Sequence, residues 1–530
     1  MIASDAGTPT GAGNPPVDRR PFVPPGEPPG WAPSGGVQPP PGFAGFGQPD
    51  PTILGRYRNK LFLLLLGALA IACALAVSYL HYNMGQAPHR ILKIVAGAAL
   101  ALIILARPAW ALGLLPLAWV YLDYMPVSPL PMVNGMNLLI ASIFLGWAGN
   151  SISHRRVGTT ASPWGLPLLL FLAWYCFAAL RSVVMSEGGF RLFLAFIPGL
   201  WGALCGLILF VPIYNFVQTW KQIRVLALLF CIGSALGLFG LVHGAAGSGW
   251  QRRVGGGIGA INEAAAYFAT ATAFTLGLLQ AGYHDMRKRM LLLGSALALA
   301  VGMIIPASRG AYVGFIVGLL LAAFRLGIVW VVVLSVLVGT FFLWAPDYAR
   351  QRVMSTEQAA TDESSRGDAL NKDSGGRLEL WRASLEIIAG NPIVGVGYAN
   401  ISTEIGKRIG RVRPAHNLYL ETAAETGIPG LLLLLSLFFA GLSGASALLR
   451  APGFPRSLGL AYQSAIVVFM VSNIFGGRFY AFNMAGMISL LTALVFRARA
   501  LLAAGISEAD EADRKRLNDP GASVIMANAR

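Results

Sequence analysis

His416 stands in the stretch Arg411-Val412-Arg413-Pro414-Ala415-His416-Asn417-Leu418-Tyr419-Leu420-Glu421, which runs on to Glu425-Thr426-Gly427. Histidine, with an unperturbed pKa of about 6.5, is the side chain best placed to take a proton near neutral pH. Two arginines have an equally marked setting. Arg309 follows Ile304-Ile305-Pro306-Ala307-Ser308 and precedes another apolar run, and Arg377 opens Gly376-Arg377-Leu378-Glu379-Leu380-Trp381. An ionisable group against an apolar run is expensive and marks function. The guanidinium fork fits a phosphate bidentately, which an ammonium cannot do. Arg252 and Arg253, just before Gly255-Gly256-Gly257, and Arg411 are further cations for the same charge, and Asn417 and Glu421 are candidate substrate-binding groups beside the histidine. A lone histidine is often a structural one, and an arginine at this depth can snorkel to headgroups. Together they point to acid–base chemistry on a phosphate-bearing substrate.

Other chemistries find little footing. No His or Cys pairs stand at metal-ligand spacing, and Glu421 with Glu425 would supply only two ligands of one type on one helix face. Gly255-Gly256-Gly257-Ile258-Gly259 lacks the Lys-Ser/Thr of a phosphate-binding P-loop, and no GxSxG is present. Cys73, Cys176, Cys205 and Cys231 each lie inside an apolar run, where cysteine behaves as a small hydrophobe. Neither a metal nor another cofactor is expected.

The elements that must position these residues are membrane helices. Of 530 residues, 55% are hydrophobic and 12% charged, with 40 Lys+Arg against 24 Asp+Glu. An ordinary soluble domain carries about 25% charged residues, so a soluble enzyme is excluded. The basic residues sit in short gaps between apolar runs, which excludes a nucleic-acid binder. Fourteen apolar runs, from 61–80 to 484–503, predict twelve to fourteen transmembrane helices, some runs being shorter than a perpendicular span needs. The organisation expected is a disordered Pro/Gly-rich cytoplasmic tail over 1–52, eleven spans over 53–344, one long polar loop over 345–426, three spans over 427–503 and a cytoplasmic tail over 504–530. With the N-terminus inside, the inner short loops hold twice as many Lys and Arg as the outer ones. Both termini are therefore expected in the cytoplasm and the long loop outside. Within that loop Leu378, Trp381, Leu385 and Ile388 form one helical stripe, predicted to face the membrane domain, and Asn391-Pro392 ends the helix. Arg377 and Trp381 are one turn apart at its start, where backbone N–H groups also favour an anion. Pro414 marks a turn before another helix, which Gly427 and Pro429 close.

The ordered series resembles a family. Ser308-Arg309-Gly310, then Gly376-Arg377-x-x-x-Trp381, then Asn391-Pro392-x-x-Gly395-x-Gly397, then His416-Asn417-x-Tyr419-Leu420 looks like the O-antigen ligase superfamily of lipopolysaccharide O-antigen ligases, Wzy-type polysaccharide polymerases and bacterial protein O-oligosaccharyltransferases. The likeness is strong over 305–432 and weaker over Arg252 to Asn262. It implies an all-α polytopic membrane protein of GT-C-like architecture with one large helical periplasmic loop, in the bacterial inner membrane. It further implies a metal-independent, inverting glycosyltransferase acting on an undecaprenyl-diphosphate-linked oligosaccharide. His416 would be catalytic and Arg309 and Arg377 would bind the diphosphate. The acceptor would be a glycan, a lipid or a protein, and other polysaccharide export proteins are candidate partners, with membrane lipids around the helices and no nucleic acid. A polymerase of exopolysaccharide or O-antigen is the expectation, with a ligase to lipid A core or to protein as the alternative. A flippase for lipid-linked oligosaccharide is the rival from another class, but it would need cations deep inside many spans, and here the span interiors are almost free of charge. A scaffold working through the proline-rich tail leaves the outer arginines unexplained.

Overall fold

The computed structural model describes residues 112–507 apart from 114, 118–134, 154–161, 186–188, 248–253, 256–259, 281–284, most of 327–349, 351–375 and 478. The chain divides into Met1–Asn83 and Met84–Arg530, and every described residue lies in the second unit. The expected tail over 1–52, the first two apolar runs, Arg252 and Arg253 fall outside the described residues.

Among the described residues the secondary structure is helical, with no strand. The helices in chain order are α1 (Gly135–Ser153), α2 (Gly165–Met185), α3 (Gly189–Ile208), α4 (Phe210–Phe216), α5 (Trp220–Leu236), α6 (Leu238–Gly247), α7 (Ile261–Leu279), α8 (Met286–Ile304), α9 (Arg309–Leu326), α10 (Arg377–Gly390), α11 (Ile401–Ile409), α12 (Leu418–Leu448), α13 (Phe454–Ser472) and α14 (Phe482–Ala503). Among the described residues six stretches are long and apolar enough to cross a membrane: Gly165–Val184, Gly199–Phe216, Trp220–Gly247, Leu418–Leu448, Phe454–Phe475 and Phe482–Ala503. Leu139–Ala148 and Arg309–Ala323 are shorter apolar helices. The protein is an all-α polytopic membrane protein, as its composition requires.

Local chemistry sets the helix ends. The apolar stretch over 192–216 forms two helices, α3 and α4, which meet at Leu209. The next helix begins at Trp220, earlier than the apolar run alone indicates, because Thr219 and Gln222 close a capping box. Thr219 Oγ1 accepts the Gln222 N–H at 3.2 Å, and Gln222 Oε1 accepts the Thr219 N–H at 3.1 Å.

Small residues let the central helices approach closely. A Cβ on Gly277 of α7 would lie 2.4 Å from Ala461 Cα of α13. Along α9, Gly310, Gly314 and Gly318 face α13 and the turn that follows it, at four-residue spacing. A Cβ on each would stand 2.6 Å from Phe475 Cβ, 2.3 Å from Ser472 Oγ and 2.3 Å from Val468 Cγ2 respectively. This is the small-xxx-small seam by which membrane helices gain packing that the lipid cannot supply. It begins one residue after Arg309, so that arginine stands beside the C-terminal end of α13.

The two ends of the helix bundle carry different residues. At one end the start of α5 meets the end of α14, where Trp220 Nε1 donates to the Ile506 carbonyl at 2.9 Å. There Arg224 also lies 4.8 Å from the Phe454 ring centroid at the start of α13. Lys221, Arg287, Lys288, Arg289, Arg450, Arg456, Arg497 and Arg499 belong to helix ends on this side. The opposite end gathers Arg181, Arg309, the helices α10 and α11, the start of α12 and the turn after α13. It carries the motifs.

Candidate functional site

Helices α10 and α11 form a small layer with its own core. Leu380, Ala383 and Ile387 of α10 pack with Ile401 and Ile405 of α11 and with Ala415 and Ala424, and Trp381, Ile388, Val396 and Leu420 close the margins. Each buried Leu or Ile contributes about 1.5–3 kcal/mol. That contact fixes helices of 14 and 9 residues, which are too short to persist alone. The buried face is rotated from the stripe that the sequence indicated: Leu378 is 47% exposed and Leu385 57%. The true pattern is 380, 383, 384, 387, because α10 packs on α11 and α12 rather than only on the bundle. On the exposed side of α11 the hydrogen bond from Lys407, with Arg408 beside it, holds the Glu404 carboxyl below its usual range.

The Asn391-Pro392-x-x-Gly395-x-Gly397 motif is a cap. At Gly427 the backbone of α12 leaves the helical region (φ 76, ψ 177), so the carbonyls of the preceding turn lose their helical partners. The motif supplies replacements. Val396 N–H donates to the Ala424 carbonyl at 2.8 Å and Gly397 N–H to that of Glu425 at 2.9 Å. In return Ile428 N–H reaches the Pro392 carbonyl at 2.8 Å. Gly395 has φ 65, and a Cβ there would meet the Glu425 carbonyl carbon at 2.3 Å, so only glycine fits. Helix α2 clamps the same junction. Trp174 Nε1 donates to the Thr426 carbonyl at 2.8 Å, Ser182 Oγ to that of Tyr398 at 2.8 Å, and the Arg181 guanidinium to that of Gly395. The signal for Arg181 in the sequence is its place at the end of a span on the side poorer in Lys and Arg. Trp174 and Ser182 gave none.

His416 sits on the segment between α11 and α12. Its side chain is half-buried and its backbone is left-handed, with φ 53. Asn417 caps α12, its Oδ1 accepting the N–H groups of Tyr419 and Leu420 at 3.0 and 3.2 Å. Glu421, 8% exposed, accepts the His416 N–H at 2.9 Å. The oxygens of Asn417 and Glu421, two residues expected to touch substrate, thus engage the chain's own donors.

The structure joins the arginine helix to the histidine. Trp381 Nε1, one turn after Arg377, donates to the carbonyl of Ala415, the residue before His416, at 3.0 Å. Arg411 lies at the start of the same helix, with Nη1 3.6 Å from Glu379 Oε2 and 3.9 Å from a Cβ built on Gly376. The N-cap of α10 is Gly376, which has no side chain to cap the first turn, and Arg377 there is half-buried. The third motif arrives from α9. Tyr419 OH donates to the Met470 carbonyl at 2.8 Å, and Gly310 packs on Phe475 a turn further along, so Arg309 and His416 flank the same end of α13. Beneath them Tyr480 OH bonds Thr422 Oγ1 at 2.6 Å, and the Tyr480 ring stacks on Tyr175 at 5.1 Å. Among the described residues no three His, Cys, Asp or Glu side chains gather as a metal site would require.

Trp381→Phe keeps a smaller aromatic ring in the partly buried seat and removes the bond to Ala415. The expected loss is about 1 kcal/mol of stability, but transfer is expected to fall about tenfold because the bond registers one motif against another. Thermal melting and turnover of the purified protein check this, and a stability loss without any loss of turnover refutes the registering role.

No curated protein matches the chain. Residues 293–435, from within α8 to within α12, match the O-antigen ligase family model. Over these residues the chain is similar to the O-antigen ligase family.

Proposed function

We propose that this protein transfers a glycan from an undecaprenyl-diphosphate carrier to an acceptor hydroxyl at the periplasmic face of the bacterial inner membrane, as a polymerase of exopolysaccharide or O-antigen. The observation that carries the reading is the Trp381 bond to Ala415, which ties the Arg377 helix to the His416 segment at the end of the bundle where Arg309 also stands. His416 takes the proton of the acceptor hydroxyl. The hydroxyl oxygen attacks the anomeric carbon opposite the diphosphate, the bond from that carbon to the diphosphate oxygen breaks, and the configuration inverts. Arg309 and Arg377 receive the charge that develops on the departing diphosphate, which leaves on its lipid. Two fixed guanidinium groups can do this without a metal ion. The end of the bundle rich in Lys and Arg faces the cytoplasm with both chain termini, in keeping with the positive-inside rule.

Glycan analysis of a deletion strain tests the function. A polymerase leaves single repeat units on their normal acceptor. Long chains that remain unattached would make the protein a ligase to lipid A core or to protein. Donor trapped on the inner leaflet would replace transfer with transport.

A further inference from the structure

We propose that Glu421 is a positioning residue for His416, and that Gly477 forms the seat that keeps its carboxylate in place. The proposal rests on the reading of His416 as the base. Three described residues other than glycine have positive φ: Ala307, Ala399 and His416, at 47°, 61° and 53°. Side chains with a Cβ seldom adopt this region, and such strain persists where the surroundings over-determine it. All three lie at the motif end of the bundle, Ala307 two residues before Arg309. His416 is held by a carboxyl group of the next helix: its N–H donates to Glu421 Oε1 at 2.9 Å.

Glu421 does more than a cap needs. Asn417 already caps α12 through Tyr419 and Leu420, and the Glu421 side chain reaches back beyond it to the N–H of His416. A buried carboxyl group is tolerated where a hydrogen bond satisfies it, and here the bond from the His416 N–H holds the left-handed turn that carries the histidine. The other side of the carboxylate is shaped by the turn after α13. A Cβ on Gly477 would stand 1.5 Å from Glu421 Oε2 and 2.5 Å from its Cδ, so any larger residue at 477 displaces the carboxylate from His416. Glu421 and Gly477 are distant in sequence and act on one atom, the His416 amide nitrogen.

The test uses purified full-length protein, undecaprenyl-diphosphate-linked oligosaccharide extracted from the producing cells, and steady-state kinetics with a melting curve for each variant. Glu421→Ala is expected to lower kcat about 100-fold, with KM for the donor changed less than about twofold, since a misaligned base alters turnover and not binding. Glu421→Gln should restore most of that turnover, because its amide oxygen still accepts the N–H. Gly477→Ala should reproduce the kcat loss of Glu421→Ala, and the double variant should be no slower than Glu421→Ala alone. Four results overturn the proposal: Gln as inactive as Ala, which would make the ionised carboxylate part of the chemistry; a rise in KM alone, which would make Glu421 a substrate ligand; activity that simply follows the folded fraction; and losses that add in the double variant. His416→Ala run alongside separates the two readings. If it stays active, the base assignment fails; if it is inactive while Glu421→Ala turns over normally, the positioning role alone fails.

Discussion

His416→Ala is expected to lower glycan transfer by about 10³-fold, the range in which loss of a general base falls, with normal protein level and an intact supply of lipid-linked donor. The size of the effect follows from what remains. The alanine variant keeps the backbone N–H that Glu421 holds and the Ala415 carbonyl that Trp381 holds, so the segment keeps its anchors and only the imidazole is lost. Histidine, like asparagine, adopts the left-handed region more readily than alanine, so at φ 53° alanine adds strain of at most about 1–2 kcal/mol. His416→Asn supplies the control for it, because asparagine tolerates the left-handed region better than alanine does, yet it cannot take a proton from an alcohol. Both variants should melt within a few degrees of wild type and both should fail to turn over. In cells the glycan ladder should collapse while donor accumulates. Full-length polymer from either variant would remove His416 from the chemistry, and with it the mechanism proposed above.

The fold class was readable because it depends on totals. So little charge, arranged in gaps between apolar runs, leaves only helices that cross a membrane. The motif series was readable because each element is short and ordered along one stretch. Pairwise geometry was less accessible. The stripe through Leu378 and Leu385 satisfied helical periodicity but had the wrong phase, since periodicity cannot say that a second helix, α11, will cover the face through Leu380 and Ile387. Helix α11 itself was overlooked, although Ile401, Ile405 and Ile409 at four-residue spacing announce it. The seam of Gly310, Gly314 and Gly318 was visible in the sequence and went unused, and it is what places Arg309 against α13. The meaning of Asn391-Pro392-x-x-Gly395-x-Gly397 could not be read at all. Its partners are carbonyls freed by a break about thirty residues later and a clamp from α2, over 200 residues earlier. The arginines at 252 and 253 remain expectations of the sequence, outside the described residues.

Arg377→Lys and Arg309→Lys are each expected to lower kcat about 100-fold, although each keeps its positive charge. The departing diphosphate spreads developing charge over several oxygens, and removal of one preorganised donor of this kind costs about 10²–10³ in kcat. A guanidinium spans two oxygens in one plane, whereas an ammonium is a hydrated point charge that can follow only one of them. Both arginines are half-buried and stand on fixed elements. Arg377 is held through Trp381 and Ala415, and Arg309 through the glycine seam on α13, so a shorter, softer contact cannot be recovered by movement of the backbone. The contrast with Arg411 makes the prediction sharp. Arg411 is 66% exposed and already beside Glu379, so Arg411→Lys should change kcat less than about threefold, as exposed ion pairs are worth little. A snorkelling arginine behaves differently from a phosphate clamp, because lysine reaches lipid headgroups as well as arginine does. Near-normal turnover in Arg309→Lys would therefore assign that residue to the membrane surface and leave Arg377 as the principal diphosphate contact. If Arg377→Lys also retained its rate, charge alone would suffice, and the fork geometry would have no part in how the leaving group is held.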